Sequence, residues 1–234
     1  MRKNIYFLLI LLIFGILTRF FWVGYPKEVV FDETYFGRYA SNYLSGSYYF
    51  DPHPPLGKLL ISGVGYVAGN REDQTDYSGI GNQYKSDIYV WYRLLPMISG
   101  VLLPIVLFFL ALELGISAFG ALILGALIIF ENSLVVQSHF ISLDSMLYLF
   151  GFSSLWLYLL YRRSNGGAKK TYLVLSAIAA ILAFSVKWTG LSFLGLIFLM
   201  EFYEICKNMP HGFFCRTKEL FKKESLALFA SFFL

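Results

Sequence analysis

Apolar residues run for about the length of a membrane span six times along this chain, at residues 5–24, 94–112, 118–136, 143–161, 172–188 and 191–205. A helix rises about 1.5 Å per residue, so roughly 20 apolar residues cross the ~30 Å hydrocarbon layer of a bilayer. A seventh run begins at residue 225 and meets the chain end at Leu234. That is roughly 15 Å of helix, so the chain reads as a fragment that stops inside a span. The pattern predicts an all-α integral membrane protein with six complete spans and a truncated seventh.

Arg2 and Lys3 precede the first run. The run is longer than the apolar core of a secretory signal, and no small-x-small cleavage site follows Trp22-Val23-Gly24-Tyr25. A retained anchor helix is the better reading. Three units are expected: an anchor at 1–24, a polar outer loop at 25–93, and a bundle at 94–234.

Residues 25–93 form the one long polar-rich stretch. Within it Tyr35, Tyr39 and Tyr43 recur every fourth residue, with Phe36, Ala40 and Leu44 beside them. That spacing predicts a helix over 34–45, lying at the membrane surface, where tyrosines favour the boundary. Gly46 and Ser47 end it, and Pro52, Pro54 and Pro55 impose an extended turn. A second interfacial helix is expected over 56–68, and a mobile loop over 70–81.

Composition agrees with a membrane assignment: 57% of residues are hydrophobic and 15% charged. The formal net charge of +4 is a topology signal and does not indicate nucleic acid. Basic residues gather before the first run (Arg2, Lys3), between the fourth and fifth (Arg162, Arg163, Lys169, Lys170), and after the sixth (Lys207, Arg216, Lys218, Lys222, Lys223). With six spans between them, all three clusters fall on one side, which the positive-inside rule makes cytoplasmic. Cys206 and Cys215 fit neither a disulfide framework nor a zinc site and read as idle thiols.

The outer face then receives more than half of the chain's 15 acidic residues. Asp32-Glu33 is the first candidate. Two readings are open: Asp32 caps the following helix with Glu33 complementing its dipole, or Asp32 is a general base whose pKa is raised by an apolar wall and a second acid. Asp51-Pro52-His53-Pro54-Pro55-Leu56-Gly57-Lys58 is the second. It is either a structural turn, or it presents His53 and Lys58 to an anionic group. Arg93, His139, Asp144 and Lys187 lie at span ends on the same outer side. Singly, Arg93 or Lys187 reads best as a snorkelling cation. Together they mark a site for an anionic, lipid-linked ligand. Arg19 is expected to snorkel, and Glu131-Asn132 to pack within the bundle or line a cavity.

Five motifs in order carry a family resemblance. They are Phe31-Asp32-Glu33-Thr34-Tyr35-Phe36-Gly37-Arg38-Tyr39; Tyr48 through Leu59 around the proline turn; Arg93-Leu94-Leu95-Pro96 with Gly100; Gln137-Ser138-His139 with Leu143-Asp144-Ser145; and Ser185-Val186-Lys187-Trp188-Thr189-Gly190-Leu191. The chain resembles the protein O-mannosyltransferase family. The resemblance implies a multi-spanning GT-C type helix bundle with interfacial helices in the first outer loop. It also implies an enzyme that moves mannose from a polyprenyl or dolichyl monophosphate to Ser or Thr hydroxyls of secreted or membrane proteins. Asp32 is then the catalytic base and Glu33 helps position the acceptor, with His53, Lys58, Arg93, His139, Asp144 and Lys187 as substrate-binding candidates. The family usually has Ser-Arg where this chain has Ser138-His139, which exchanges a permanent cation for a titratable one.

Such a transfer inverts the sugar carbon and starts from a good leaving group. It calls for a base, cations and a dry pocket, with no cofactor and no metal. Partners are the lipid-linked donor, acceptor proteins and membrane lipids. The location expected is a prokaryotic cell membrane, or the ER membrane in a eukaryote, with the N-terminus cytoplasmic and the site outside. The alternatives are a GT-C transferase acting on a lipid or glycan acceptor, and a transporter or scaffold.

Overall fold

A computed structural model describes residues 2–69 and 73–207. The seventh run at 225–234, the basic residues Arg216, Lys218, Lys222 and Lys223, and Cys215 lie outside them. Among the described residues the structure is helical: α1 (Arg2–Phe20), α2 (Glu33–Ser45), α3 (Leu56–Val67), α4 (Ile88–Glu113), α5 (Ala118–Phe130), α6 (Asn132–His139), α7 (Asp144–Arg163), α8 (Gly166–Val186) and α9 (Leu191–Lys207), with a 3-10 turn at Trp188–Gly190 before α9. The lone extended pairing among the described residues joins Glu28 to Gln83.

The run at 118–136 is not one rod. It breaks at Glu131 into α5 and α6, which meet at 55°. Glu131 is extended (ψ 118°), and its carboxylate accepts the Leu134 amide at 2.6 Å as the cap of α6. It is exposed and does not pack within the bundle. Three helical stretches, at residues 88–113, 166–186 and 188–207, are long and apolar enough to cross a membrane, or four if the bent pair counts as one. The apolar part of α1, Asn4–Phe20, is shorter. The 20 residues of α7 include Asp144, Arg162, Arg163 and several serines, which lower its hydropathy.

Long α4 is the centre of the bundle, touching α1, α3, α5, α6 and α7, while α7 packs along α8. Close approach of α6 to α4 depends on Gly100, where a Cβ would lie 2.7 Å from that of Ser138. One apolar cluster sits beneath the loop between α1 and α4 and joins Val29, Phe36, Ala40, Ile61 and Tyr77 to Ile141, Leu143 and Val186. This explains why the loop after residue 72 is not a free tether. Tyr77 is 4% exposed and donates to Asp73 at 2.7 Å, and Val29 bonds Asn82 through its amide and Gly81 through its carbonyl.

The two ends of the bundle differ in chemistry. At the end holding the α7 C-terminus, Arg163 pairs with Glu113 and Arg162 with Glu204. The opposite end holds the start of α7, the end of α8 and the loop-borne helices.

Candidate active site

Asp32 occupies the N-cap position of α2, yet its side chain makes no capping hydrogen bond. Its carbonyl accepts the amides of Tyr35 and Phe36 at 2.9 Å, so the helix start is held by backbone and the carboxylate stays available. Phe31, just before it, has φ 43°, a left-handed conformation uncommon for a residue with a Cβ and characteristic of constrained functional segments.

The adjacent Glu33 has the opposite environment. It is fully buried. Arg93 grips it with both arms, Nε to Oε1 at 2.8 Å and Nη2 to Oε2 at 2.9 Å. The amides of Val30 and Ile141 donate to it at 3.0 and 2.9 Å, and the Tyr84 hydroxyl at 2.7 Å. Burial, with the Glu33 charge adding to it, pushes the Tyr84 phenol up and keeps it a donor. Arg93 spends its remaining arm on the carbonyl of Pro26 at 3.0 Å. Glu33 and Arg93 therefore join α2, α4, the first loop and the segment after α6. Arg93 lies inside α4 rather than at its start.

Lys58 is likewise committed. It is 1% exposed, pairs with Asp51, and donates to the carbonyl of His53 at 2.9 Å. Asp51 also accepts the His53 amide at 3.0 Å. The proline turn is thus organised by an internal ion pair, and Trp188 ties it to the α8–α9 junction by donating from its indole to the Pro52 carbonyl. Gly190 makes that junction possible, since a Cβ there would collide with the backbone of Ala183.

What remains around Asp32 is a small charged set. Asp32 and His53 each interact electrostatically with Lys187 and Asp144, and with one another. Burial raises the Asp32 carboxyl above its ordinary value; Asp144 adds to this, and Lys187 and His53 oppose it. Burial lowers the His53 imidazole, helped by Lys187, and its Nδ1 is buried without a partner. Lys187 holds Asp144 at 2.9 Å and is 21% exposed, unlike the sealed Lys58 and Arg93. Four chain segments, the α2 start, the proline turn, the α7 start and the α8 end, so converge on one charged cluster.

His139 closes α6 and its Nδ1 lies 2.8 Å from the Val135 carbonyl. Arg19 does not snorkel: it is 1% exposed and donates to the carbonyls of Ile129 and Ile128 at 2.5 and 3.1 Å, where α5 ends. Sequence reasoning missed Tyr84 and the Ile141 amide. An aromatic in a loop and a backbone group carry no pattern. Among the described residues, no group of three or more His, Cys, Asp or Glu side chains is placed to hold a metal ion.

The family model for dolichyl-phosphate-mannose-protein mannosyltransferase matches residues 9–227. The chain belongs to this mannosyltransferase family. Asp32, His53, Asp144 and Lys187 all fall inside the matched stretch. Protein O-mannosyltransferase 1 of Drosophila melanogaster is 36% identical over 204 residues, covering 86% of this chain and 22% of the relative. Dolichyl-phosphate-mannose–protein mannosyltransferase 1 of Saccharomyces cerevisiae is 30% identical over 218 residues, covering 91% of this chain and 26% of the relative. A solved structure of the S. cerevisiae protein O-mannosyltransferase Pmt1-Pmt2 complex bound to the sugar donor superposes with a TM-score of 0.86 at 29% identity, over 99% of this chain and 32% of that one. The chain therefore spans about a fifth to a quarter of the length of these curated mannosyltransferases.

Proposed function

We propose that this chain carries the donor-side catalytic part of a protein O-mannosyltransferase. It takes mannose from a polyprenyl or dolichyl monophosphate and delivers it to Ser or Thr hydroxyls of proteins, with inversion at the sugar carbon. The observation that carries the assignment is the contrast between the two neighbouring acids: Glu33 is bonded on both oxygens, whereas Asp32 is uncapped, raised in pKa and beside Lys187 and His53.

Asp32 takes the hydroxyl proton as the acceptor oxygen bonds to the anomeric carbon. The bond from that carbon to the phosphate oxygen breaks, and the prenyl phosphate leaves with the electron pair. A base with a raised pKa accepts a proton at moderate pH more readily than an ordinary carboxylate. Lys187 is the cation best suited to the phosphate. It is partly exposed and held by a single acid, so an incoming phosphate can draw it from Asp144. Glu33 and Arg93 are assigned here to positioning, because their hydrogen-bonding atoms are already spent. The site is assigned to the extracytoplasmic face, with the N-terminus cytoplasmic, by the distribution of basic residues. The membrane is a prokaryotic cell membrane, or the ER membrane in a eukaryotic host.

The test uses the complete gene product in membranes with prenyl-phosphate mannose and a Ser/Thr-rich peptide. Asp32→Asn should lower kcat on the order of a hundredfold or more, the usual contribution of a positioned base. Transfer at the wild-type rate would remove Asp32 from the reaction, and mannose found only on lipid would reassign the acceptor.

A further inference from the structure

Beside the charged set lies a depression of roughly 530 Å³, lined by Tyr43, Tyr48, Tyr49, Asp51, His53 and Lys58. His53 belongs to both, so the depression opens next to the proposed base. Its wall is aromatic. Tyr49 stacks on Tyr39 with centroids 4.5 Å apart and meets Tyr43 edge-on at 5.4 Å. Gly46, at φ 69°, turns the chain out of α2, and Tyr48 beyond it is 92% exposed. Asn42 and Ser47 add neutral polar groups at the rim, and Pro55 closes one side.

The chemistry of this lining selects its occupant. Its one cation, Lys58, is neutralised by Asp51, so a phosphate has no partner there. A prenyl tail would strip water from Asn42 and Ser47 without replacing their hydrogen bonds. An extended peptide suits both halves: its backbone can bond the rim, and an apolar or prolyl side chain can lie on the tyrosines. Aromatic-lined grooves dock extended proline-containing segments in this way. We propose that the depression is the acceptor-peptide subsite, holding an apolar or prolyl side chain that flanks the reacting hydroxyl. The proposal rests on the transfer reaction assigned above.

Tyr48 is the residue to change, because nothing in the fold leans on so exposed a ring. The complete protein in lipid nanodiscs is titrated with two fluorescent Ser/Thr peptides, one with prolines beside the hydroxyl and one with glycines. Tyr48→Ala should weaken the prolyl peptide about three- to tenfold, the loss of one aromatic contact. It should leave the glycyl peptide nearly unaffected, and Tyr48→Phe should restore wild-type binding. Equal binding of both peptides by wild type and Tyr48→Ala overturns the subsite, as does a raised KM for prenyl-phosphate mannose with peptide binding intact. Tyr48-dependent peptide binding without mannose transfer retains the subsite and removes the reaction. Transfer with no Tyr48-dependent preference does the reverse.

Discussion

At the level of single residues, Asp32 and Glu33 show how one bond of chain separates two electrostatic situations. The Asp32 carboxyl is raised above its ordinary value by burial, so ionising it costs the folded protein more than the unfolded chain. A raised folded pKa gives stability at pH below the unfolded value that is lost as pH rises through the folded one. Asp32→Asn should therefore raise the melting temperature slightly at neutral pH, an advantage that vanishes in acid below the normal carboxylate range. Wild-type transfer should fall as pH drops through the raised pKa, while activity of the variant stays low and flat. A melting temperature unchanged at both pH values would show that burial does not perturb this carboxyl. Glu33→Gln should behave differently, because it leaves the buried Arg93 charge without a counter-ion. Loss of one member of a buried pair costs about 3–5 kcal/mol, measurable by thermal unfolding in detergent. Glu33→Leu combined with Arg93→Met should recover only part of this. The amides of Val30 and Ile141 lose their acceptor as well.

Among the elements, the two helices of the first loop were legible and the break at Glu131 was not. The tyrosine spacing and Gly46 gave α2 to within a residue at its start, and Pro55 marked the start of α3. Residues 118–136 are apolar on both sides of Glu131, so hydropathy merges α5 and α6, and only the acid itself hints at a cap. What holds the break comes from another helix. Arg19 of α1 donates to the carbonyls of Ile128 and Ile129, which a continued helix would have bonded internally. Arg19→Leu leaves those buried acceptors without a donor, a loss of about 1–3 kcal/mol. Glu131→Ala removes an exposed cap and should cost about 1 kcal/mol. Thermal melts of the two variants should keep that order. An Arg19→Leu protein as stable as wild type would mean that water or lipid headgroups satisfy the carbonyls.

On the scale of the whole molecule, the site was legible as a face and much less so as a set of bonds. Counting spans placed Asp32, His53, Asp144 and Lys187 at one end, and their mutual electrostatics agree. Counting could not reveal that Arg93 and Lys58 are held by Glu33 and Asp51, because a sequence displays charges without their partners. Orientation is the next quantity to measure. Arg162 and Arg163 end α7, and Lys169 and Lys170 open α8. Asp144 and Lys187 stand at the far ends of those same two helices, each roughly 30 Å long at about 1.5 Å per residue. If the basic turn is cytoplasmic, Ser78 of the outer loop and Asn165 of the turn must lie on opposite sides of the membrane. Both are exposed, so a cysteine at either place is reachable. With Cys206 and Cys215 first changed to serine, Ser78→Cys should react with an impermeant maleimide from the extracytoplasmic side. Asn165→Cys should react only after the membrane is opened. Labelling of both from one side would break the alternation of spans between them, and with it the placement of the acid cluster on the outer face.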